Sequence, residues 1–272
     1  MRRLTLALGG LLAAAATTLV TAPAATAQET GSVYVVHGIP NTPVDVYVDG
    51  ARALDDFAPG KSAGPVDLPA GARQVAIFPA DAADGSGSPL LSASPEVPAG
   101  GNVTLVAHLD AGGKPTVTPF VNDVSAVPAG QARVVVRHTA AAPAVDVLAG
   151  GTPVVNGLTN PNEEALEVPA GTISAAVAAA GTTDPVIGPA DLDLQEGTAT
   201  FVHAIGSLQD KTLNLVPITV SNLHSAPSGV PSGAPSGAPS DPTVPGWLLI
   251  SAIAGLLVVG VSARRIRAGA GS

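Results

Sequence analysis

The sequence predicts an all-β protein: two tandem β-sandwich domains of immunoglobulin-like type, followed by a single C-terminal transmembrane helix. Three observations carry this expectation. A set of short motifs recurs in the same order about a hundred residues apart. The runs between turns are brief and rich in β-branched residues, with Gly, Pro, Asn and Asp clusters about every ten residues. A second long apolar run lies near the end of the chain.

The first element is a leader. Arg2 and Arg3 form a basic start, residues 4–20 are an apolar run rich in Leu and Ala, and Ala25-Thr26-Ala27 puts small residues where a signal peptidase reads them. This is the three-part pattern of a secretory signal over residues 1–27, cleaved between Ala27 and Gln28. A first transmembrane helix is the alternative. No cysteine follows the run, so a bacterial lipid anchor is excluded.

The body contains a repeat. Val35-Val36-His37 and Pro43-Val44-Asp45-Val46 are answered by Val136-Arg137-His138 and Ala144-Val145-Asp146-Val147, with His and Asp eight apart in both copies. Val66-Asp67-Leu68-Pro69-Ala70-Gly71 is answered by Leu166-Glu167-Val168-Pro169-Ala170-Gly171, and Gly101-Asn102-Val103 by Gly197-Thr198-Ala199. The spacing drifts only from 101 to 96, which predicts two homologous domains, 31–124 and 131–222, joined near Val127-Pro128-Ala129-Gly130. Strands are expected at 33–36, 44–48, 74–78 and 103–108, and at 133–137, 145–148, 173–177 and 198–203 in the second copy. Asp49-Gly50 is a hairpin signal. Along residues 44–49 the valines share one face, expected to be core, and Asp45, Tyr47 and Asp49 share the other, expected to be wet. Residues 175–180 suit a helix by propensity, but their equivalence with 75–80 argues for a strand.

After the body comes a period-four repeat of Pro-Ser-Gly within residues 225–246. Such a segment cannot bury enough apolar surface to offset chain entropy and is expected to be a disordered stalk. Residues 247–263 then run without a charge from Trp247 to Arg264, at the short end of what spans a bilayer. Arg264, Arg265 and Arg267 mark the cytoplasmic side of a basic tail, 264–272, and Trp247 suits the opposite interface. A buried core helix is the alternative.

The motifs V-x-V-x-H, P-V-D-V-Y-V-D-G and V-x-L-P-A-G, carried by residues 33–50 and 66–71 and partly repeated at 133–147 and 166–171, resemble a bacterial, actinobacterial-like secreted family of unknown function. The resemblance implies exported, often tandem, β-rich envelope proteins and no established reaction.

Composition narrows the chemistry. The absence of cysteine rules out disulfides, thiolate metal sites and a cysteine nucleophile. All 21 Asp and Glu lie between Glu29 and Asp241, against seven Lys and Arg, so this stretch carries −14 and would repel nucleic acid. His37 with Asp45, and His138 with Asp146, are the sharpest candidates. They are read as structural clamps, because a framework contact recurs in each copy of a duplication. The competing reading is a hydrolase imidazole held by a carboxylate. Gly85-Ser86-Gly87 lacks the strand–turn–helix setting of a nucleophile elbow. Asp81 with Asp84, and Asp191, Asp193 and Glu196, are the acidic groups that a calcium-dependent adhesion module would use. No catalytic, cofactor or metal residue is assigned. The expected protein is a single-pass type I cell-membrane protein with its body outside the cell. Its function would be to bind an envelope protein or glycan, or to serve the envelope structurally, without catalysis.

Overall fold

The structure, a computed structural model, describes residues 29–225 apart from Ala83. The expected leader, residues 226–246 of the stalk, the apolar run and the basic tail lie outside the described residues. Chain contacts separate Met1–Ser228 from Gly229–Ser272, and every described residue belongs to the first unit.

The described residues are all strand, turn and loop, without an α-helix. The first half holds β1 (Thr30–His37), β2 (Val44–Val48), β3 (Ala51–Phe57), β4 (Ser62–Pro69), β5 (Gly71–Ala72), β6 (Val75–Pro79), β7 (Leu91–Ala93), β8 (Glu96–Val97), β9 (Asn102–Leu109) and β10 (Pro115–Val121). The second holds β11 (Gln131–His138), β12 (Val145–Ala149), β13 (Thr152–Leu158), β14 (Glu163–Pro169), β15 (Gly171–Ala179), β16 (Pro185–Leu194), β17 (Ala199–Ile205) and β18 (Asn214–Val220). Each half has two four-stranded sheets in matching order: β10-β9-β1-β4 and β3-β2-β6-β7, then β18-β17-β11-β14 and β13-β12-β15-β16. The small β5-β8 pair is the fifth sheet. In both halves the first strand runs parallel to the penultimate one, β1 with β9 and β11 with β17. Residues 175–179 are strand, as the repeat implied.

The two sheets of each half face one another across an apolar core. Val33, Leu105, Val46 and Ile77 meet in the first half, and Val134, Val202, Val147 and Val177 in the second. Alternate residues of the first sheets point the other way, into a third core that joins the halves. Val36, Val106 and Phe120 of the first half pack there with Val135, Phe201 and Ile218 of the second. The central sheets are therefore covered on both faces, which is why β9, β11 and β17 are buried along nearly their whole length, their polar residues included. Burying Phe201 completely contributes about 1.5–3 kcal/mol by itself.

Strand pairing corrects two expectations. Val36 lies beside Val106, and its counterpart Arg137 lies beside His203, so Val106 corresponds to His203 and the spacing in these strands is 97. The sequence match of Gly101 with Gly197 was one residue out, and a one-residue slip in a strand exchanges its faces. The face of β2 carrying Asp45 and Tyr47 is not wet: both are buried. The hydroxyl of Tyr47 donates to the Ala82 carbonyl, and the loop beyond β6 covers its ring near Gly85. The connection between halves is also pinned: Val127 is fully buried and its N–H bonds the Leu223 carbonyl.

Candidate functional site

The recurring histidines and aspartates come to rest at the ends of matching strands, but they do not pair with each other. The Nε2 of His37 bonds the Thr42 carbonyl oxygen at 2.7 Å, and that of His138 bonds the Pro143 carbonyl oxygen at 2.9 Å. Each ring thus donates Nε2–H across the loop that follows its strand, five residues on in both copies. Asp45 instead accepts the N–H of Asp56 at 2.9 Å, and Asp146 accepts the N–H of Gly157 at 2.7 Å. Asp56 and Gly157 are equivalent and both have positive φ, 47° and 64°, where β3 and β13 slip register against β2 and β12. A bulge of this kind leaves an N–H without a strand partner, and the buried carboxylate supplies one.

The second carboxylate oxygen differs between copies. In Asp45 it faces the Nη1 of Arg52 at 3.4 Å, whereas in Asp146 it accepts the Gly181 N–H at 2.8 Å. Asp146→Ala strands two backbone donors, so we expect a loss of about 1–3 kcal/mol. Urea unfolding of the variant checks this, and an unchanged midpoint would contradict it. Burial pushes the imidazoles of His37 and His138 below their ordinary values, opposed by their bonds to Thr42 and Pro143, so both rings favour the neutral form.

The densest polar cluster lies between the halves and centres on Arg137, which the sequence reading did not single out. Its side chain is fully buried. The guanidinium carbon sits 4.5 Å from the ring centroid of Phe120 and 4.7 Å from that of Phe201, one ring from each half. Nε donates to Glu163 Oε2 at 2.7 Å, Nη2 to Asn122 Oδ1 at 2.8 Å, and Nη1 to His203 Nε2 at 3.2 Å. Asn122 belongs to the first half, where its side chain also bonds Thr104 and Asn102.

These contacts fix the His203 tautomer. Nε2 must accept from the arginine, so Nδ1 carries the proton and donates to the Val216 carbonyl at 3.0 Å. Burial, then the adjacent Arg137 charge, pulls the His203 pKa down to about 3. Burial also lowers the Arg137 pKa, and its bond to Glu163 opposes the shift.

Arg133 makes a second tie. It donates to the carbonyls of Asp123 and Ser125 at 3.1 and 3.2 Å and to Glu167 Oε1 at 2.9 Å. Asn160 Nδ2 bridges the Leu109 carbonyl of the first half and the Ala140 carbonyl of the second, at 2.8 and 2.7 Å. His108 is engaged on both nitrogens, by the Leu109 carbonyl and Thr118 Oγ1.

The acidic candidates are dispersed. Asp191 and Asp193 lie exposed along β16, while Glu196 accepts the Gly130 N–H at 2.8 Å. Asp84 is occupied by the N–H and hydroxyl of Ser86. Among the described residues no group of three or more His, Asp or Glu is arranged to hold a metal ion.

A polar cleft of about 170 Å³ opens where the loop after β1 meets the β17–β18 connection, lined by Gly38, Asn41, Gly60, Gly206, Thr212 and Asn214 among others. Gly38 is required there: a Cβ would stand 2.8 Å from the Ile205 side chain and 3.1 Å from the Ala107 carbonyl.

Comparison with known proteins adds little chemistry. No curated protein matches the chain. A solved structure titled "The Bacillus anthracis TIE protein" aligns at 16% identity over 64% of this chain and 33% of that one, with a TM-score of 0.19. The chain thus spans about a third of that protein's length. Residues 31–148, from the first half into β12, match the DUF4397 family, described as a domain of unknown function.

Proposed function

We propose that this protein is a non-catalytic, membrane-anchored module of the cell envelope, a pair of β-sandwiches held outside the cell on a stalk to bind an envelope protein or glycan. The observation that carries the binding reading is the cleft at the junction of the halves. Its walls come from both halves, and the interface around Arg137 holds them in one arrangement. Preorganised loops on a rigid framework are where such modules present contacts. The recurring His and Asp residues make most of their hydrogen bonds to loop and bulge backbone, with Arg52 as the one side-chain partner, on Asp45, which favours a framework role over a hydrolytic one. The secretory leader, period-four stalk and charge-free run followed by three arginines support export and retention at the membrane.

A photo-crosslinker placed at Asn41 or Asn214 in growing cells is expected to give a discrete envelope adduct, and one at Glu164 on exposed β14 is not. Equal adducts from all three positions would remove the cleft from the proposal. Protease added to intact cells is expected to shed the body by cutting within 225–246, and a body that stays with the cells after such treatment would refute the anchored topology.

A further inference from the structure

The core of the second half contains a cavity of about 160 Å³, lined in part by smaller side chains than those at the equivalent positions of the first half. Equivalent positions follow from strand pairing, and they show why. Val48 and Val75 pair across β2 and β6, and Ala149 and Ala175 pair at the same place across β12 and β15. Ile77 becomes Val177, Leu105 becomes Val202, Leu54 becomes Val155 and Phe57 becomes Leu158 by the same correspondence. Larger residues return some of the volume, with Leu194 in place of Val97 and Leu215 in place of Val117. The two Val-to-Ala changes nevertheless remain open, because both alanines line the cavity.

The geometry points to a binding site in this cavity for a compact, uncharged hydrocarbon group. The lining is valine, leucine, isoleucine and alanine throughout, apart from Glu167, whose carboxylate is held by Arg133. The cavity reaches the surface beside Val154, an exposed valine on edge strand β13 that is among the lining residues. A cavity of roughly 150 Å³ with such walls stays dry, because water finds no hydrogen-bond partners there, and it accepts a molecule the size of benzene. The first half carries Val48 and Val75 where the second carries Ala149 and Ala175, so small residues at these positions are not a requirement of the architecture. The site shares no residue with the polar cleft and does not depend on it. The hydrocarbon group is either a small free molecule or the end of an acyl chain.

The test uses the full chain, wild type beside Ala149→Val/Ala175→Val, so that uptake of a probe elsewhere cancels. Benzene reports on a compact free molecule and 1-octanol on a chain end. A probe at about ten times its Kd is expected to raise the wild-type Tm by about 3–5 °C and to leave the double variant unmoved. A response to octanol alone assigns the chain end, and a response to benzene alone assigns the compact molecule. No response to either, or an equal response in both proteins, overturns the proposal. If the double variant fails to fold, nuclear Overhauser contacts from benzene or the octanol chain to the Leu192 and Val202 methyls of the wild type decide the matter. Their absence for both probes overturns it equally.

Discussion

Arg137→Ala is expected to destabilise the described unit by about 3–5 kcal/mol, because it takes a donor from two buried acceptors and empties the space between two phenylalanine rings. Asn122 Oδ1 and His203 Nε2 each lose their arginine donor inside the interface, and both phenylalanine rings lose a cation from one face. Glu163 is the partner least affected, because its side chain is 38% exposed and water can replace the arginine. The first half carries Val36 at the equivalent position, so an apolar residue suits the strand itself. The cost therefore resides in the stranded partners. Arg137→Lys is expected to rescue little, since an ammonium cannot reach three directions in one plane between two rings. Thermal melting checks this, with a fall of roughly 6–20 °C expected in Tm. A loss below about 1 kcal/mol in Arg137→Ala would mean that the guanidinium acts as an ordinary surface ion pair and would remove it as the lock between the halves.

The same interface explains what was legible in the sequence. Strands β1, β2, β9, β11, β12 and β17 are legible because they are largely buried and rich in valine or other apolar residues, with Asp45 and Asp146 as buried polar exceptions in β2 and β12. Edge strands β3, β13 and β14 expose most of their residues and lose the alternation that would reveal them. The matching strand order of the two halves is legible from short recurring motifs, but the register in β17 is not, because Gly101 and Gly197 look alike and only pairing shows which face each neighbour occupies. His37, Asp45, His138 and Asp146 recur in the sequence, yet apart from Arg52 beside Asp45 their partners are backbone groups, which sequence does not display. Arg137 is not legible as an interface residue, because a lone arginine in a strand reads as a wet face. A signal did exist: Arg133 and Arg137 are spaced by four, Glu163 and Glu167 are spaced by four, and antiparallel pairing of β11 with β14 sets each arginine opposite a glutamate.

Acidification is expected to unfold the described unit well before its carboxylates are fully protonated, with His203 as the largest single contributor. In the folded state its proton affinity is depressed to about 3, below the ordinary 6.5. Above pH 6.5 the ring is neutral in both states and adds no pH dependence. As pH falls below 6.5 the unfolded chain takes up a proton that the native site refuses, so stability falls with falling pH. The loss accumulates down to about pH 3 and reaches about 4–5 kcal/mol there, at 1.36 kcal/mol for each pH unit of separation. Three groups face this ring. Arg137 and His108 oppose its protonation, and the Val216 carbonyl favours it. His37, His108 and His138 are also depressed by burial and act in the same direction. His203→Gln separates this effect from the carboxylates, since an amide oxygen can still accept from Arg137 but cannot take up a proton. Chemical denaturation between pH 7.5 and 4 is expected to show a clearly shallower decline in that variant. Parallel decline in the two proteins would mean that His203 protonates in place, and the buried neutral ring would have to be abandoned.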